Sequence, residues 1–287
     1  MKNAKTKRSS SIGLWFRSGT PWIWMNAGAI SIAIIAVAGL LGLIMVRGMS
    51  QFWPAEVYQF EVNGQQYLAE FVESERIPAA RVPDYPTDRE FVVRHLVKSG
   101  NRDLQGADFS WVIDDSIKNK KRPNNAMVLE RTEWGNFYGY LKALQENGKP
   151  VLSDADEQAR WQELQKRLGR VDELRDEIHY LEVKAIGAVN YQLEDLRLQQ
   201  RRLELDGEDT PQALAAIEAE RRQLIAEYDR LEKRLKKLYV EIQRDVISAS
   251  VSDGTVVTIP LQKIIKAWQP NSFGFFDKVA FYGGALW

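Results

Sequence analysis

The amino-acid sequence predicts a membrane-anchored α+β protein, and three features of its 287 residues predict it. A long apolar run lies near the N-terminus. Two alternating stretches are centred on tight-turn dipeptides, and a long stretch between them repeats apolar residues every three or four positions. In that order, the features indicate one transmembrane helix, a small α+β domain outside the cytoplasm, and a long antiparallel coiled-coil hairpin inserted into that domain.

The composition excludes several classes of protein. The 39 Lys and Arg residues balance 39 Asp and Glu residues, and the chain contains no cysteine. Without cysteine there is no disulfide framework, thiolate nucleophile or Cys-ligated zinc or iron–sulfur site. Because the charge is balanced, the basic excess of a dedicated nucleic-acid binder is missing, and no nucleic-acid partner is expected.

The apolar run is long enough to cross a membrane as a helix. The 29 residues between Arg17 and Arg47 carry no charge, and Ala27–Val46 is almost purely apolar. About 20 such residues span the roughly 30 Å hydrocarbon core of a bilayer. A secretory signal peptide is the alternative, but its apolar region is shorter and the sequence after Arg47 lacks a small-x-small cleavage site. The run therefore predicts an uncleaved anchor.

The charges that flank the run predict its orientation. Arg47 alone follows the run before Glu56. Five basic residues and no acidic residue precede the run: Lys2, Lys5, Lys7, Arg8 and Arg17. The positive flank stays in the cytoplasm, so everything after about residue 48 is expected outside it. Aromatic residues suited to the two membrane interfaces are Trp15, Trp22 and Trp24 before the core and Phe52 and Trp53 after it.

Two β-hairpins are predicted in the exported part. Val57–Val72 alternates around Asn63-Gly64, and Val246–Ile259 alternates around Asp253-Gly254, dipeptides that fit two-residue turns with positive φ. Further strands are predicted at 109–113 and 126–129, short helices at 88–98 and 137–146, a proline-rich loop at 77–87 and an exposed turn at 119–125.

The stretch from Ser153 to Asp245 has the period of long helices. Ser153 is the predicted N-cap, and Leu205–Pro211 supplies a helix stop, an N-cap Thr and a Pro at the first helical position. The first half carries an apolar stripe: Trp161, Leu164, Leu168, Val171, Leu174, Ile178, Leu181, Ala185 and Ala188. The second half is closer to a heptad: Leu214, Arg221, Tyr228, Leu235 and Ile242 in one position, and Ile217, Leu224, Leu231, Leu238 and Asp245 in the other. Its charged residues are expected to form a solvated face.

Motifs for chemistry are absent from the sequence. No phosphate-binding loop, dinucleotide fingerprint, nucleophile elbow or zinc-protease motif occurs, so no cofactor, metal or catalytic residue is predicted and the chain is not expected to be an enzyme. His95, expected in a short helix, and His179, in the coiled coil, are each assigned a structural or solvated role. Asp114-Asp115 ends a predicted strand, where neighbours face opposite sides, so shared proton chemistry is not expected. Lys120–Arg122 is either an anion site or, as is commoner, solvated.

The C-terminal tail is rich in aromatic residues. Trp268–Trp287 contains seven of them with one acid and one base, which suits a segment returning to the membrane interface. Packing of the tail onto the α+β domain is the alternative, and the sequence favours neither strongly. The predicted division is a cytoplasmic basic stub at 1–17, a transmembrane helix at 18–47, an α+β part at 48–152, a coiled-coil hairpin at 153–245, a returning β-hairpin at 246–270 and an aromatic membrane-proximal tail at 271–287.

Several phrases of the sequence resemble one family. They are Gly13–Phe16, Arg47-Gly48, Phe52–Pro54, Val97–Asp103, Gly106–Val112 and Leu129–Gly139. These resemble the N-terminal region of long-form PstA, the permease subunit of the bacterial phosphate ABC importer, over most of residues 11–150 and the tail. The helical stretch resembles the family's in being a coiled-coil arm, more than in its sequence motifs.

The resemblance implies a place in an inner-membrane complex that imports inorganic phosphate. The implied partners are a second permease subunit, cytoplasmic ATPase subunits, a periplasmic phosphate-binding protein and membrane lipid, with ATP hydrolysis in the ATPase subunits. It also implies that residues after about 48 are periplasmic. The family's further membrane spans and coupling loop do not occur in these residues, so no substrate-binding residue is carried over and an N-terminal portion of the permease is expected. A single-span envelope adaptor that binds partners through its coiled-coil arm is the alternative.

Overall fold

The computed structural model describes residues 15–16, 18–51, 54–82, 89–153 and 156–285. The chain divides into two compact units, one comprising 1–54 with 275–287 and the other Ala55–Gly274. The helices are α1 (Thr20–Gln51), α2 (Arg102–Gln105), α3 (Glu157–His179), α4 (Ile186–Asp206), α5 (Pro211–Ile242) and α6 (Phe275–Ala285), with a π-helical segment, Tyr180–Ala185, between α3 and α4. The strands are β1 (Val57–Val62), β2 (Gln65–Pro78), β3 (Phe91–Lys98), β4 (Phe109–Ile113), β5 (Ile117–Lys121), β6 (Met127–Arg131), β7 (Phe137–Glu146), β8 (Lys149–Val151), β9 (Asp245–Ser250), β10 (Val256–Pro260) and β11 (Ile264–Trp268).

The first unit contains α1, whose apolar side chains are exposed along its length. Its segment Thr20–Gly48 is the one helix within the described residues that is long and apolar enough to cross a membrane. The helix includes nearly all of the predicted span at 18–47. Most of the basic stub at 1–17 and the aromatic pair Phe52-Trp53 lie outside the described residues.

The five-stranded sheet of the second unit has the order β4-β3-β2-β1-β5. Its edge strands are consecutive in the chain and are joined by the three-residue 3₁₀ turn Asp114–Ser116, so the sheet curls until these edges approach each other. One face forms a small core around Phe60, which is fully buried. The other members of that core are Val62, Ala69, Val97 and Val112.

The second sheet lies between the first sheet and the helices. Its order is β10-β9-β7-β6-β11, with β8 paired to β7. Toward the first sheet, Val128 and Tyr138 pack with Val57 and Leu68. Toward the helices, its side chains form the largest core of the described residues; the helical members of that core are Leu164, Leu168, Val171, Leu174, Ile178, Leu181, Leu238 and Ile242.

Two of the predicted helices are wrong. The predicted helix at 88–98 contains β3, and the one at 137–146 is β7. Each strand is central in its sheet, since β3 pairs with β2 and β4 while β7 pairs with β6 and β9. The first residues of β7, at 137–139, are buried on both faces, so the alternation of apolar and polar residues by which a strand is recognised is lost there. In β3 the apolar residues form two groups, at 91–93 and 96–97, a spacing that also fits a helix, and only Val92 and Val97 are buried.

Both predicted hairpins are confirmed, but one turn differs. Asn63 and Gly64 form a two-residue turn with φ of 52° and 81°. β9 and β10 pair from Ser250 and Val256 outward, so their loop has five residues. The Val251 amide donates to the Thr255 carbonyl across that loop at 2.9 Å, and inside it Asp253 accepts a hydrogen bond from the Thr255 amide at 2.8 Å, a local side-chain contact that competes with a tighter turn.

The remaining short elements are confirmed in part. The strand predicted at 109–113 is β4, and the one at 126–129 overlaps β6. The predicted loop at 77–87 begins inside β2, which ends at Pro78, and residues 83–88 lie outside the described part. The predicted turn at 119–125 is wrong over its first residues, because they belong to β5 and pair with β1.

The helical stretch forms two antiparallel segments. Glu177 pairs with Arg234 at 2.8 Å near one end, and Gln200 accepts a hydrogen bond from Arg221 at 2.8 Å near the other. Thr210 caps α5 as predicted, whereas Asp156, and not Ser153, caps α3 by accepting from the Ala159 amide. The coiled-coil interpretation stays a prediction.

The π-helical segment changes which residues of the stripe are buried. Leu181 is buried as predicted, but beyond the segment Val189 is buried and Ala188 is exposed. A π-helical turn holds one more residue than an α-helical turn, so it shifts the apolar stripe by one position.

The aromatic tail belongs to both units. Trp268 packs on the core between the two sheets, which agrees with the packing alternative for this residue. α6 belongs to the unit that contains α1, and its Phe275 and Phe276 are exposed. Trp287 lies outside the described residues.

Candidate functional site

His95 lies between a serine and an aspartate. Its Nδ1 is 2.7 Å from Ser74 Oγ, and its Nε2 is 2.9 Å from Asp114 Oδ1. In the neutral ring, Nε2–H donates to Asp114 while Nδ1 accepts from the Ser74 hydroxyl. The three residues have the hydrogen-bond order of a catalytic triad with the ring nitrogens exchanged.

The position of this cluster follows from the sheet. Ser74 and His95 are direct neighbours on β2 and β3, and Asp114 begins the turn after β4. The ring of His95 meets Phe71 edge-on at a centroid distance of 5.2 Å. His95 is therefore in a strand, not in the predicted short helix. The hydrogen bonds hold the turn between the two edge strands against the sheet, which is compatible with the structural role predicted for His95.

The other candidate residues are not brought together with His95. Asp115 pairs with Arg89 at 3.0 Å, so it has a different partner from Asp114. Both aspartates follow the end of β4 as expected, where they lie in a 3₁₀ turn. His179 is exposed in the last turn of α3.

The basic segment at 120–122 is partly used by the fold. Lys120 Nζ lies 3.8 Å from the centroid of the Phe71 ring, and Arg122 pairs with Glu56 at 3.2 Å. Arg122 also donates to the backbone carbonyl of Asn271 at 3.1 Å. Two of the three cations therefore have partners inside the protein, which disfavours the anion-site alternative for this segment.

A buried polar junction joins the two sheets. Asn101 Oδ1 accepts from the Tyr138 amide and its Nδ2 donates to the Tyr138 carbonyl, both at 2.9 Å. Gly100 permits this approach, since its φ is 57° and a Cβ there would lie 2.3 Å from the Asn136 carbonyl oxygen. Burial raises the pKa of Glu70 beside them, against the opposing effect of the charge of Lys98. Burial and the charge of Glu70 also raise the pKa of Tyr138.

A second polar junction joins the helices to the second sheet. Asp245, 1% exposed, begins β9 and is separated from the end of α5 by two residues. Its carboxylate pairs with Arg167, with Arg170 at 3.4 Å and with Arg244 at 3.0 Å. Arg167 and Arg244 also reach Glu146 at the end of β7, at 3.0 and 3.2 Å. We call these five residues the Asp245 cluster. The sequence had placed Asp245 in a heptad position, so its role was missed.

A polar cleft of about 580 Å³ opens where loops of the two sheets meet. Ser252 Oγ donates to the Gln66 carbonyl at 2.7 Å and so ties the β9–β10 loop to the start of β2. The polar side chains that line the cleft are Gln65, Gln66, Tyr67, Gln105, Ser110 and Asp253. None of the Ser74, His95 and Asp114 side chains lines it. The cleft was not predicted, because its wall comes from three separate stretches of the chain, 64–67, 105–110 and the loop at Asp253, and no motif links them.

Neither a search of the described residues for metal-binding groups nor comparison with known proteins identifies a further site. Within the part of the chain that the structure describes, no group of three His, Asp or Glu side chains is placed to hold a metal ion. Comparisons with protein families, curated proteins and solved structures find no match. The function is therefore inferred from the residues themselves.

Proposed function

We propose that this chain is the N-terminal part of the permease subunit of an ATP-driven importer of inorganic phosphate. The domain at 55–274 then lies in the periplasm, where it docks, gates or braces other subunits of the complex. The chain itself is not catalytic, and partner ATPase subunits hydrolyse ATP. Support for the membrane location comes from α1, which is long and apolar enough to span a bilayer, and from the basic residues that precede it.

The observation that supports the proposal most is the location in the fold of the segments that resemble the permease family. Val97–Asp103 contains Gly100 and Asn101, and Leu129–Gly139 contains Tyr138, the residue that Asn101 binds. Asp103 and Arg131, one in each phrase, form a bidentate pair with distances of 2.9 Å. The phrases that are far apart in sequence thus contact each other at the junction of the sheets. Such residues specify a fold, so their resemblance supports a shared domain architecture.

The helical arm supports a role in protein contacts. Beyond the π-helical segment, α4 and the first half of α5 have Val189, Leu196 and Ile217 as their buried apolar residues. The exposed ion pairs along this part, such as Arg197 with Glu194, contribute little to stability. We propose that these helices form the coiled-coil hairpin and present its surface to another protein.

The adaptor alternative is favoured by one exposed stripe. Tyr191, Leu198 and Leu205 follow each other at intervals of seven residues on α4 and are 76%, 41% and 71% exposed. A heptad spacing of exposed apolar residues is the pattern by which a helix binds another helix. An envelope protein outside the importer that bound this stripe would make the chain a single-span adaptor.

Site-specific photo-crosslinking in intact bacterial membranes tests the proposal. A photoreactive amino acid is placed at Tyr191 on the arm, at Trp134 on the body, or at the exposed control position Lys118, and adducts are identified by mass spectrometry. We expect adducts from Tyr191 or Trp134 with the second permease subunit or the phosphate-binding protein, and fewer from Lys118. Adducts from Tyr191 only with proteins outside the importer would support the adaptor. Absence of importer subunits at every position would overturn the importer proposal.

A further inference from the structure

The polar cleft has the lining of a site for uncharged, hydroxyl-rich molecules. Three glutamine amides, a serine hydroxyl and a tyrosine hydroxyl offer both donors and acceptors, and an aromatic ring lies among them. No lysine or arginine lines the cleft, and the one charged group is Asp253. Thr255 holds the pKa of Asp253 below its usual range through backbone and side-chain hydrogen bonds, so this side chain stays an anion that repels phosphate and accepts hydrogen bonds.

Several lining groups are open to a ligand. Within the described residues, the side-chain amide of Gln105 and the hydroxyl of Ser110 make no hydrogen bond. Gln65 accepts from the Tyr67 hydroxyl at 3.2 Å through Oε1, which leaves its amide nitrogen as a donor. Gln66 donates to Glu61 at 3.3 Å through Nε2, which leaves its amide oxygen as an acceptor.

The lining is also held in place before any ligand binds. The Tyr67 ring stacks on the fully buried Phe60 at a centroid distance of 5.5 Å. The two-residue turn at 63–64 fixes where β2 begins, and the hydrogen bond from Ser252 to the Gln66 carbonyl fixes the opposite wall. Preorganised groups lose little conformational freedom on binding.

We propose that this cleft binds a neutral saccharide of one or two sugar rings. Sugar hydroxyls donate to carboxylate and amide oxygens and accept from amide N–H groups, and the face of a pyranose ring packs against an aromatic side chain. The volume of about 580 Å³ falls within the range of small-molecule sites. This site does not depend on the importer proposal, because nothing in its lining favours phosphate.

Binding to the purified full-length chain in detergent micelles tests this site. Titration calorimetry and saturation-transfer NMR are used with maltose, with the disaccharide of N-acetylglucosamine and with inorganic phosphate as separate probes. We expect weak binding of at least one disaccharide and none of phosphate. Sedimentation with purified peptidoglycan distinguishes a wall glycan strand from a free sugar as the source of the saccharide.

Variants of the open lining groups connect binding to the cleft. The exposed Gln105 is changed to Ala alone and together with Ser110→Ala, and Gln223→Ala on α5 is the matched control. The loss of several hydrogen bonds in the double variant should weaken binding about tenfold or more, whereas Gln223→Ala should leave it unchanged. If thermal unfolding shows that the double variant does not fold, the binding affinity of Gln105→Ala alone is compared with that of the control.

The proposed saccharide site is overturned if no disaccharide binds, if the cleft variants bind normally, or if phosphate binds more tightly than either sugar. Crosslinking to importer subunits is unaffected by these outcomes, so the two proposals fail separately.

Discussion

The second unit has an acidic side chain at each of two junctions, the buried Asp245 and the half-buried Glu70, and their surroundings differ. At the helix–sheet junction, Asp245 is surrounded by three arginines from α3 and from the end of α5. At the sheet–sheet junction, Glu70 has Lys98 directly across the sheet and the Tyr138 hydroxyl beside it, and burial raises its pKa. A buried carboxylate stabilises a fold when cations and donors surround it and is costly when they do not. The charge of Asp245 therefore stabilises the folded state at the first junction, whereas the charge of Glu70 destabilises it at the second.

The largest effect is expected from Asp245→Asn. The substitution removes the one buried carboxylate that pairs with all three arginines, although Arg167 and Arg244 keep their contacts with Glu146. Removing one partner of a buried ion pair typically costs about 3 to 5 kcal/mol. Chemical denaturation followed by circular dichroism measures the free energy of unfolding. Asp229→Asn, at an exposed position of α5, is the matched control and should change it little. A loss below about 1 kcal/mol for Asp245→Asn would contradict a charge-dependent junction.

A smaller loss is expected from Asn101→Ala at the sheet–sheet junction. Without the side-chain amide, the buried N–H and C=O groups of Tyr138 lose their partners, at a total cost of about 2 to 3 kcal/mol. Because these hydrogen bonds join neutral groups, added salt should not change the loss. Asn190→Ala on the exposed face of α4 is the control. A loss that shrinks as salt is added would show that charge matters at this junction too.

The sequence predicted elements whose signals are local. The turn at Asn63-Gly64 and the cap at Thr210 each depend on a few neighbouring residues, and both occur as expected. The central strands β3 and β7 were predicted as helices, because neither alternates regularly between apolar and polar residues. The start of β7 is buried on both faces, and the apolar residues of β3 have a spacing that also fits a helix. The π-helical segment was not predicted either. The additional residue in its turn shifts the buried position from Ala188 to Val189.

The candidate sites were hidden for a related reason. Ser74 lies opposite His95 because a β-bulge between Phe71 and Glu73 shifts the register in which β2 pairs with β3. No residue type in this segment predicts the bulge. Asp245 looked like a polar exception in a heptad because the chain leaves the helix just before it. In each case the contact depends on pairing between segments distant in sequence.

The smallest effect, and the only gain in stability, is expected from Glu70→Gln. Glutamine keeps the shape of the side chain beside the Tyr138 hydroxyl but removes the charge that burial disfavours. At neutral pH we expect the free energy of unfolding to rise by about 1 kcal/mol, the size of one poorly compensated polar group. Glu73→Gln, at an exposed position of the same strand, is the control and should change little.

The pH dependence of that gain separates charge from packing. Since the pKa of Glu70 is raised in the folded protein, the unfolded chain releases its proton first as the pH rises, and the wild type loses stability relative to the variant over that interval. Below about pH 4, near the ordinary pKa of glutamate, the carboxyl is protonated in both states and the advantage of Glu70→Gln should vanish. Denaturation of both proteins across this interval measures the difference. A difference that stays constant with pH would mean that the substitution acts through packing, and the contrast between the two junctions would then not be one of charge.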